Sequence, residues 1–207
     1  MKARLVEEVH RRLAKAVGPG DSCLDATAGN GLDSLFLARL VGPSGTLHAI
    51  DLQKEAIRNT RVLLHESHMD ERLLIHQGCH SQIELFLPTE EKGNLRAVVF
   101  NLGYLPKANK EVTTRKESTV SALRKGYEWL TAGGVMSVLC YRGHAGGKDE
   151  EAAVSELIRS SSWISQTLPG SDSGESPVLH WIESPSRGFR GRPPPRSPPT
   201  DDRSRRG

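Results

Sequence analysis

Cysteine is scarce in this chain, and a long apolar run is absent. The 207 residues contain three cysteines, Cys23, Cys79 and Cys140, whose odd number and wide spacing argue against a disulfide framework and against a zinc site built on Cys pairs. No run approaches the roughly 18 to 20 apolar residues that cross a bilayer, and residues 1–10 alternate charge with Leu and Val instead of forming an apolar signal segment. We therefore expect a cytoplasmic protein with reduced thiols, without a bound metal and without membrane contact.

Net charge is also small once the C-terminal end is set apart. The whole chain carries +3, but residues 186–207 hold seven Arg against Asp201 and Asp202, which leaves −2 for residues 1–185. The same segment holds five Pro and three Gly with Phe189 as its one large apolar residue, so it cannot bury enough surface to offset its ordering entropy. We expect a disordered Arg/Pro-rich tail at 186–207, which either helps hold RNA electrostatically or is a solvated extension without a specific role.

Helical and extended patterns alternate along residues 1–185, and no internal repeat is visible. This alternation predicts one α/β domain, with a mostly parallel sheet and helices on both faces. The predicted strands are Cys23–Thr27, Thr46–Leu52, Leu73–Gln77, Ala97–Phe100, Val135–Tyr141, Ile164–Leu168 and Val178–Glu183. The predicted helices are Leu5–Val17, Leu32–Leu40, Lys54–Ser67, Gln82–Leu87, Thr114–Leu130 and Lys148–Ser160, with Gly133-Gly134 as the stop signal of the fifth helix.

A glycine turn follows the first predicted strand, where backbone can approach a ligand closely. The dinucleotide fingerprint requires G-x-G-x-x-G, but the segment Gly29-Asn30-Gly31-Leu32-Asp33-Ser34 has Ser in place of the third glycine. Asp25 lies near the strand end and Asp33 in the first helical turn, and two carboxylates there would repel a pyrophosphate but suit a ligand with sulfonium and ammonium groups. These charges point to S-adenosylmethionine, with helix capping as the alternative role of Asn30 or Asp33.

Polar residues also follow the second and third predicted strands. Asp51 lies at the end of the second strand, 20 residues beyond Gly31, where an acidic side chain can accept hydrogen bonds from both ribose hydroxyls of a nucleoside cofactor. Gln53 continues along the ribose and adenine edge, and Cys79-His80 follows the third strand at the place expected to contact adenine. The alternative for Asp51 is a hydrogen bond to local backbone. Together, residues at three successive strand ends favour cofactor binding.

Asn101 and Tyr104 follow the most apolar predicted strand, Ala97–Phe100, whose carboxyl end would lie beside the methyl group of the cofactor. A neutral side-chain oxygen can accept a hydrogen bond from an amine and direct its lone pair at the methyl carbon, while Tyr104 can stack on a planar base. This pair predicts a nitrogen nucleophile. The alternative is an ordinary strand-end turn with Tyr104 packed into the core.

Five segments of residues 1–185 together resemble the YtqB-like family of rRNA methylases, and the fourth of them resembles the Asn/Asp-Pro-Pro-Tyr motif of amino-group methyltransferases, with Leu-Gly in place of the prolines. The segments are Asp25–Gly31, Asp51–Gln53, Cys79-His80, Phe100–Pro106 and Tyr141–Gly147. The resemblance implies a class I methyltransferase (Rossmann-like) fold with a seven-stranded sheet. It also implies S-adenosylmethionine as cofactor and N-methylation of the aminomethyl group on uridine 34, the wobble position of tRNA.

Residue pattern and resemblance together assign the candidate site, with Tyr141 assigned by the resemblance alone. The predicted cofactor contacts are Asp25, Ala28, Gly29, Asn30, Gly31, Asp33, Asp51, Gln53, Cys79 and His80. The predicted substrate contacts are Tyr104, Tyr141 and His144, and the predicted catalytic residues are Asn101, Tyr104 and His144.

Methyl transfer to an amine requires its neutral form, because an alkyl amine is mostly protonated at neutral pH. His144 lies in a Gly-flanked segment after the fifth predicted strand, and histidine is the side-chain type that titrates nearest neutral pH. The sequence therefore offers His144 as a general base. The alternatives are a backbone hydrogen bond that fixes the segment, or contact with a phosphate when the ring is charged.

The resemblance implies RNA as the partner, at the anticodon loop of tRNA. The alternatives are a methyltransferase of ribosomal RNA or of a small amine, and a non-catalytic cofactor-binding partner subunit. Because residues 1–185 carry little net charge, RNA binding must depend on a local patch, unless those side chains form an ordinary solvated helix face. The candidates for the patch are Lys107, Lys110, Arg115, Lys116 and Arg124. The sequence leaves the oligomeric state open, with a homodimer among the options.

Overall fold

The computed structural model describes residues 2–103, 114–171 and 174–186, so Tyr104 and the predicted tail from residue 187 onward lie outside the described residues. In that part of the chain the strands are β1 (Ser22–Asp25), β2 (Thr46–Asp51), β3 (Leu73–Gln77), β4 (Leu95–Leu102), β5 (Leu130–Cys140), β6 (Ile164–Pro169) and β7 (Val178–Glu183). The α-helices are α1 (Lys2–Ala16), α2 (Leu32–Val41), α3 (Lys54–Glu66), α4 (Ile83–Phe86), α5 (Lys116–Trp129) and α6 (Gly147–Ser160). Among these helices, none has both the length and the apolar composition needed to span a membrane.

The seven strands form one sheet in the order β3-β2-β1-β4-β5-β7-β6. Strands β1 to β5 pair in parallel, whereas β7 runs antiparallel to both β5 and β6. The predicted mostly parallel α/β sheet is therefore confirmed. Chain order reverses between β1 and β4, and in such sheets a crevice forms outside the carboxyl ends of the strands at that point.

The core lies on both faces of the sheet because the central strand β4 is apolar on both sides. Val98 and Phe100 belong to a buried cluster with side chains of α5 and α6, while Ala97 and Val99 belong to a second cluster with side chains of α1 and α2. Successive side chains of a strand point to opposite faces. Asn101 therefore continues the row of Val99 and faces the side of α1 and α2.

The predicted helix stop at Gly133-Gly134 was wrong, because α5 ends at Trp129 and the glycine pair lies inside β5. Gly133 has a left-handed φ of 74°, and the register against β4 shifts between the pairs Leu95–Leu130 and Ala97–Val135. The backbone of the pair is bonded to Ser184, since Gly133 N–H donates to its carbonyl and the Gly134 carbonyl accepts from its N–H. The glycines form a bulge in the strand, a second common use of glycine in extended chain.

The fourth strand is longer than predicted. The sequence places its end at Phe100, but β4 continues to Leu102, which pairs with Cys140 of β5. Asn101 thus lies within the strand and not in the turn after it. Its backbone pairs with Leu139 of β5 on one side, and on the other side its N–H donates to the Thr27 hydroxyl, just after β1.

Candidate functional site

The glycine turn between β1 and α2 is tightly closed. Gly29 and Gly31 have φ values of 55° and 81°, and Gly31 N–H donates to the Ala28 carbonyl at 2.8 Å. A Cβ on Gly31 would lie 2.8 Å from the Cα of Thr60, which is closer than Cβ atoms approach backbone. Both the positive φ and the contact with α3 therefore require glycine at position 31.

Asp51 joins the end of β2 to this turn. Its Oδ2 accepts the Gly29 N–H and its Oδ1 accepts the Gln53 N–H, both at 2.9 Å. Burial raises the pKa of Asp51, and the backbone hydrogen bonds oppose that shift. The structure therefore contains the hydrogen bonds to backbone that were the alternative role predicted for Asp51. Each carboxylate oxygen can accept a further hydrogen bond, so a role toward ribose hydroxyls is compatible with them.

Asp25 supports the turn in this structure, and its direct contact with a cofactor stays a prediction. Its side chain is fully buried, its Oδ2 accepts the Ser34 hydroxyl at 2.6 Å and its Oδ1 accepts the Thr27 N–H at 3.1 Å. Burial, followed by the nearby Asp33 carboxylate, raises the pKa of Asp25 to about 7. Asp25 therefore ties β1 to α2, and at neutral pH it carries less negative charge than the sequence suggests.

Asp25 makes folding stability depend on pH in a specific direction. Because its folded-state pKa of about 7 lies above the ordinary value of 3.8, the folded protein binds this proton more tightly than the unfolded chain. This contribution to stability is present below pH 4 and is lost as pH rises toward 7. Asp25→Asn can keep both hydrogen bonds, with its amide donating to Ser34. We expect the stability of the variant relative to wild type to rise over this range by on the order of 4 kcal/mol.

Urea denaturation at a series of pH values measures this difference. Asp70→Asn is the matched control, because Asp70 is exposed and its pKa is lowered by its hydrogen bond with His65. We expect the stability curve of that control to run parallel to the wild-type curve between pH 4 and 7. Parallel curves for wild type and Asp25→Asn would show that Asp25 titrates normally in the folded state.

Two polar groups of Asn101 have hydrogen-bond partners, whereas its side-chain oxygen has none among the described residues. Its backbone N–H donates to Thr27 Oγ1 at 2.7 Å, and its Nδ2 donates to Asp33 Oδ2 at 2.9 Å. Its Oδ1 is buried and finds no hydrogen-bond partner among the described residues. A buried acceptor without a partner costs about 1–3 kcal/mol, so this oxygen favours a ligand that supplies a donor.

His10 belongs to the site but was not singled out from the sequence. Its Nε2 lies 2.7 Å from Asp33 Oδ1, and its ring stacks on Phe36 with a centroid distance of 3.9 Å. The sequence feature that could have identified His10 is its spacing. It follows Val6 by four residues and precedes Leu13 by three, so it lies on the face of α1 that packs on the core. Thr27 and Ser34, which bond Asn101 and Asp25, were also missed.

His80 lies beside the backbone that leads from β1 into the glycine turn. It is 7% exposed, its ring meets Phe100 edge-on, and burial lowers its pKa to about 4 against the effect of a hydrogen bond with the Ala26 carbonyl. The imidazole is therefore neutral at physiological pH and is held by the Ala26 carbonyl and the Phe100 ring. Cys79 is half-buried beside Ser81, with 3.1 Å between Sγ and Oγ. Direct adenine contact by either side chain stays a prediction.

Tyr141 and His144 lie at the Gly103 end of β4. A Cβ on Gly103 would be 3.5 Å from Cδ2 of Tyr141 and 3.7 Å from Nε2 of His144. Burial, with a contribution from Asp33, raises the pKa of Tyr141 to about 12. Nδ1 of His144 lies 3.0 Å from the Ala145 carbonyl, so the loop-fixing hydrogen bond is present, and Nδ1 then carries the proton of the neutral ring.

Most predicted site residues come together at one edge of the sheet. The described ones linked there by the contacts above are Ala28, Gly29, Gly31, Asp33, Asp51, Gln53, Asn101, Tyr141 and His144. Asn30 lies in the same turn between Gly29 and Gly31, and its Oδ1 accepts from Nδ2 of Asn59 on α3 at 3.0 Å. Of the predicted basic patch, Arg115, Lys116 and Arg124 are exposed, while Lys107 and Lys110 lie outside the described residues.

The sequence matches a protein family and a curated protein. A model of the family described as "Putative rRNA methylase" matches residues 47–166. The chain is 35% identical over 174 residues to a protein of Arabidopsis thaliana named tRNA (mnm(5)s(2)U34)-methyltransferase, chloroplastic, with 79% of this chain and 63% of that protein covered. The chain therefore spans about 63% of the length of this curated relative.

Two solved structures are also similar. A Clostridium thermocellum protein titled putative rRNA-methylase has a TM-score of 0.81 at 33% identity, with 86% of this chain and 96% of that one covered. A Streptococcus mutans putative methyltransferase, solved in complex with SAH, has a TM-score of 0.76 at 28% identity with the same coverage. The expected class I methyltransferase fold is thereby confirmed.

Proposed function

The chain belongs to the family described as "Putative rRNA methylase", and we propose that it is an S-adenosylmethionine-dependent methyltransferase that N-methylates the aminomethyl group of wobble uridine 34 in tRNA. The observation that carries the proposal is the acceptor Asn101 Oδ1, which is buried at the edge of the sheet that also bears the glycine turn and has no hydrogen-bond partner among the described residues. The name of the Arabidopsis relative supports the choice of tRNA, and the SAH-bound Streptococcus structure supports the cofactor.

The residues at the glycine turn fit the proposed cofactor better than they fit a dinucleotide. The turn approaches α3 so closely that no side chain fits at Gly31, and Asp33 and Asp51 place carboxylates beside it. Such a site disfavours a pyrophosphate and suits a cation with ribose hydroxyls. When bound, S-adenosylmethionine would supply an electrophilic methyl group on its sulfonium. Ala28, Gly29, Asn30, Asp51 and Gln53 would contribute to holding it.

The substrate amine would be oriented by Asn101. Its Oδ1 accepts an N–H of the amine, which orients the nitrogen lone pair and accelerates transfer by positioning. His144, at the adjacent end of β4, stays the candidate that accepts the proton from the amine, because its hydrogen bond at Nδ1 leaves Nε2 as the basic nitrogen. Tyr141 and Tyr104 are the proposed substrate contacts, of which Tyr104 lies outside the described residues.

Methylation of fractionated RNA tests the proposed function. Purified protein with isotope-labelled S-adenosylmethionine is incubated with tRNA that carries 5-aminomethyluridine, with ribosomal RNA or with small amines, followed by nucleoside mass spectrometry. We expect one added methyl group on the wobble nucleoside of tRNA. Label in ribosomal RNA or an amine instead would refute the substrate, and cofactor binding without transfer to any of them would favour a non-catalytic partner subunit.

Location and partners follow as parts of the same proposal. A tRNA anticodon loop is the proposed partner, approached across the exposed side chains of Arg115, Lys116 and Arg124. A cytoplasmic location is our proposal from the sequence, whereas the name of the Arabidopsis relative assigns that protein to the chloroplast.

A further inference from the structure

We propose that His10 is a positioning residue for methyl transfer, which acts through Asp33 to fix the orientation of the Asn101 side-chain oxygen that would accept from the amine. This inference rests on the proposed function. Three elements are joined in one chain of hydrogen bonds, from Nε2 of His10 on α1 to Oδ1 of Asp33 at 2.7 Å, and from Asp33 Oδ2 to Nδ2 of Asn101 on β4 at 2.9 Å.

The orientation of the Asn101 amide follows from the chemistry of its neighbour. An ionised carboxylate only accepts hydrogen bonds, so the NH₂ group of Asn101 must face Asp33 and the oxygen must face away from it. The backbone of Asn101 is held independently, because its N–H donates to Thr27. With backbone and NH₂ group both fixed, Oδ1 is the one side-chain acceptor left for a ligand.

His10 in turn fixes the carboxylate of Asp33. A histidine nitrogen that contacts a carboxylate at 2.7 Å must carry the proton, so Nε2 of His10 donates to Asp33. The ring cannot easily rotate away, since it stacks on Phe36 with the two planes inclined by 6°. Asp33 is 14% exposed and lies in the first turn of α2, so water competes weakly for its oxygens. His10 therefore sets the plane of the carboxylate on which Asn101 depends.

His10→Phe separates this role from packing, because phenylalanine keeps the stack on Phe36 and removes the hydrogen-bond donor. We expect kcat for methyl transfer to fall about tenfold to a hundredfold, with KM for RNA and the Kd for S-adenosylmethionine nearly unchanged. His10→Gln, which restores a donor, is expected to recover most of kcat. His65→Phe is the matched control, since His65 also contacts an aspartate, Asp70, but on the exposed surface of α3.

A second readout does not depend on activity. The side-chain NH₂ protons of Asn101, assigned by NMR from their loss in Asn101→Ala, are expected to exchange with solvent slowly in wild type and about tenfold faster in His10→Phe. An unchanged exchange rate overturns the inference, as does an unchanged kcat in an active enzyme. If the wild type methylates no RNA, the proposed function fails, while the exchange rates still decide whether His10 holds Asn101 through Asp33.

Discussion

Replacing Asn101 by alanine is expected to lower kcat for methyl transfer about 100-fold while leaving the affinity for S-adenosylmethionine within about threefold. The variant removes the buried acceptor Oδ1 that would orient the amine. It also removes the NH₂ group that donates a hydrogen bond to Asp33. The glycine turn keeps its contact with Asp51, so the proposed cofactor site persists. Multiple-turnover methylation of tRNA measures kcat, and isothermal titration calorimetry measures cofactor affinity.

Asn94→Ala provides the matched control for this experiment. Asn94 immediately precedes the same strand at its opposite end, is exposed, and donates from its side chain to the Glu90 carbonyl at 2.5 Å. We expect this variant to methylate at the wild-type rate. Equal rates for Asn101→Ala and Asn94→Ala would mean that Oδ1 of Asn101 does not orient the nucleophile. Asn101 would then be a structural residue of β4.

Much of the fold could be predicted from the sequence because its signals are local. The apolar run at Ala97–Phe100 identifies a strand buried on both faces. The glycines at 29 and 31 identify a turn with positive φ values, which residues with a side chain rarely adopt. Once strands are parallel, residues at their carboxyl ends must share an edge of the sheet. The convergence of Asp51 and Asn101 on the glycine turn follows from that rule.

The parts that sequence could not supply depend on contacts between distant elements. Nothing in residues 1–16 indicates that His10 reaches Asp33, because the crossing of α1 over α2 is set by core packing. Likewise, the burial of Asp25 depends on Ser34 and on strands to either side, so its charge was overestimated. Gly133-Gly134 was assigned to a helix end because a glycine pair suits a helix end as well as a bulge, and pairing with β4 decides between them.

Replacing Gly31 by alanine is expected to destabilise the protein by about 3 kcal/mol and to weaken S-adenosylmethionine binding by at least about tenfold. The left-handed φ of 81° is unfavourable for alanine, and its Cβ would lie 2.8 Å from the Thr60 Cα. Backbone cannot yield as a flexible side chain does, so α3 must shift. Because Thr60 Oγ1 donates to the Gly29 carbonyl at 3.3 Å, that shift would disturb the turn proposed to hold the cofactor.

Gly93→Ala separates the two causes of this effect. Gly93 has nearly the same φ, 80°, but among the described residues no heavy atom outside its chain neighbours lies within 4 Å of the Cβ that alanine would add. This variant therefore keeps the backbone penalty without the contact. We expect a cost of about 1 kcal/mol and unchanged cofactor affinity. Urea denaturation and calorimetry compare the two variants directly. Equal destabilisation and equal affinity would show that α3 yields freely around position 31, and that close packing of the glycine turn against Thr60 does not shape the cofactor site.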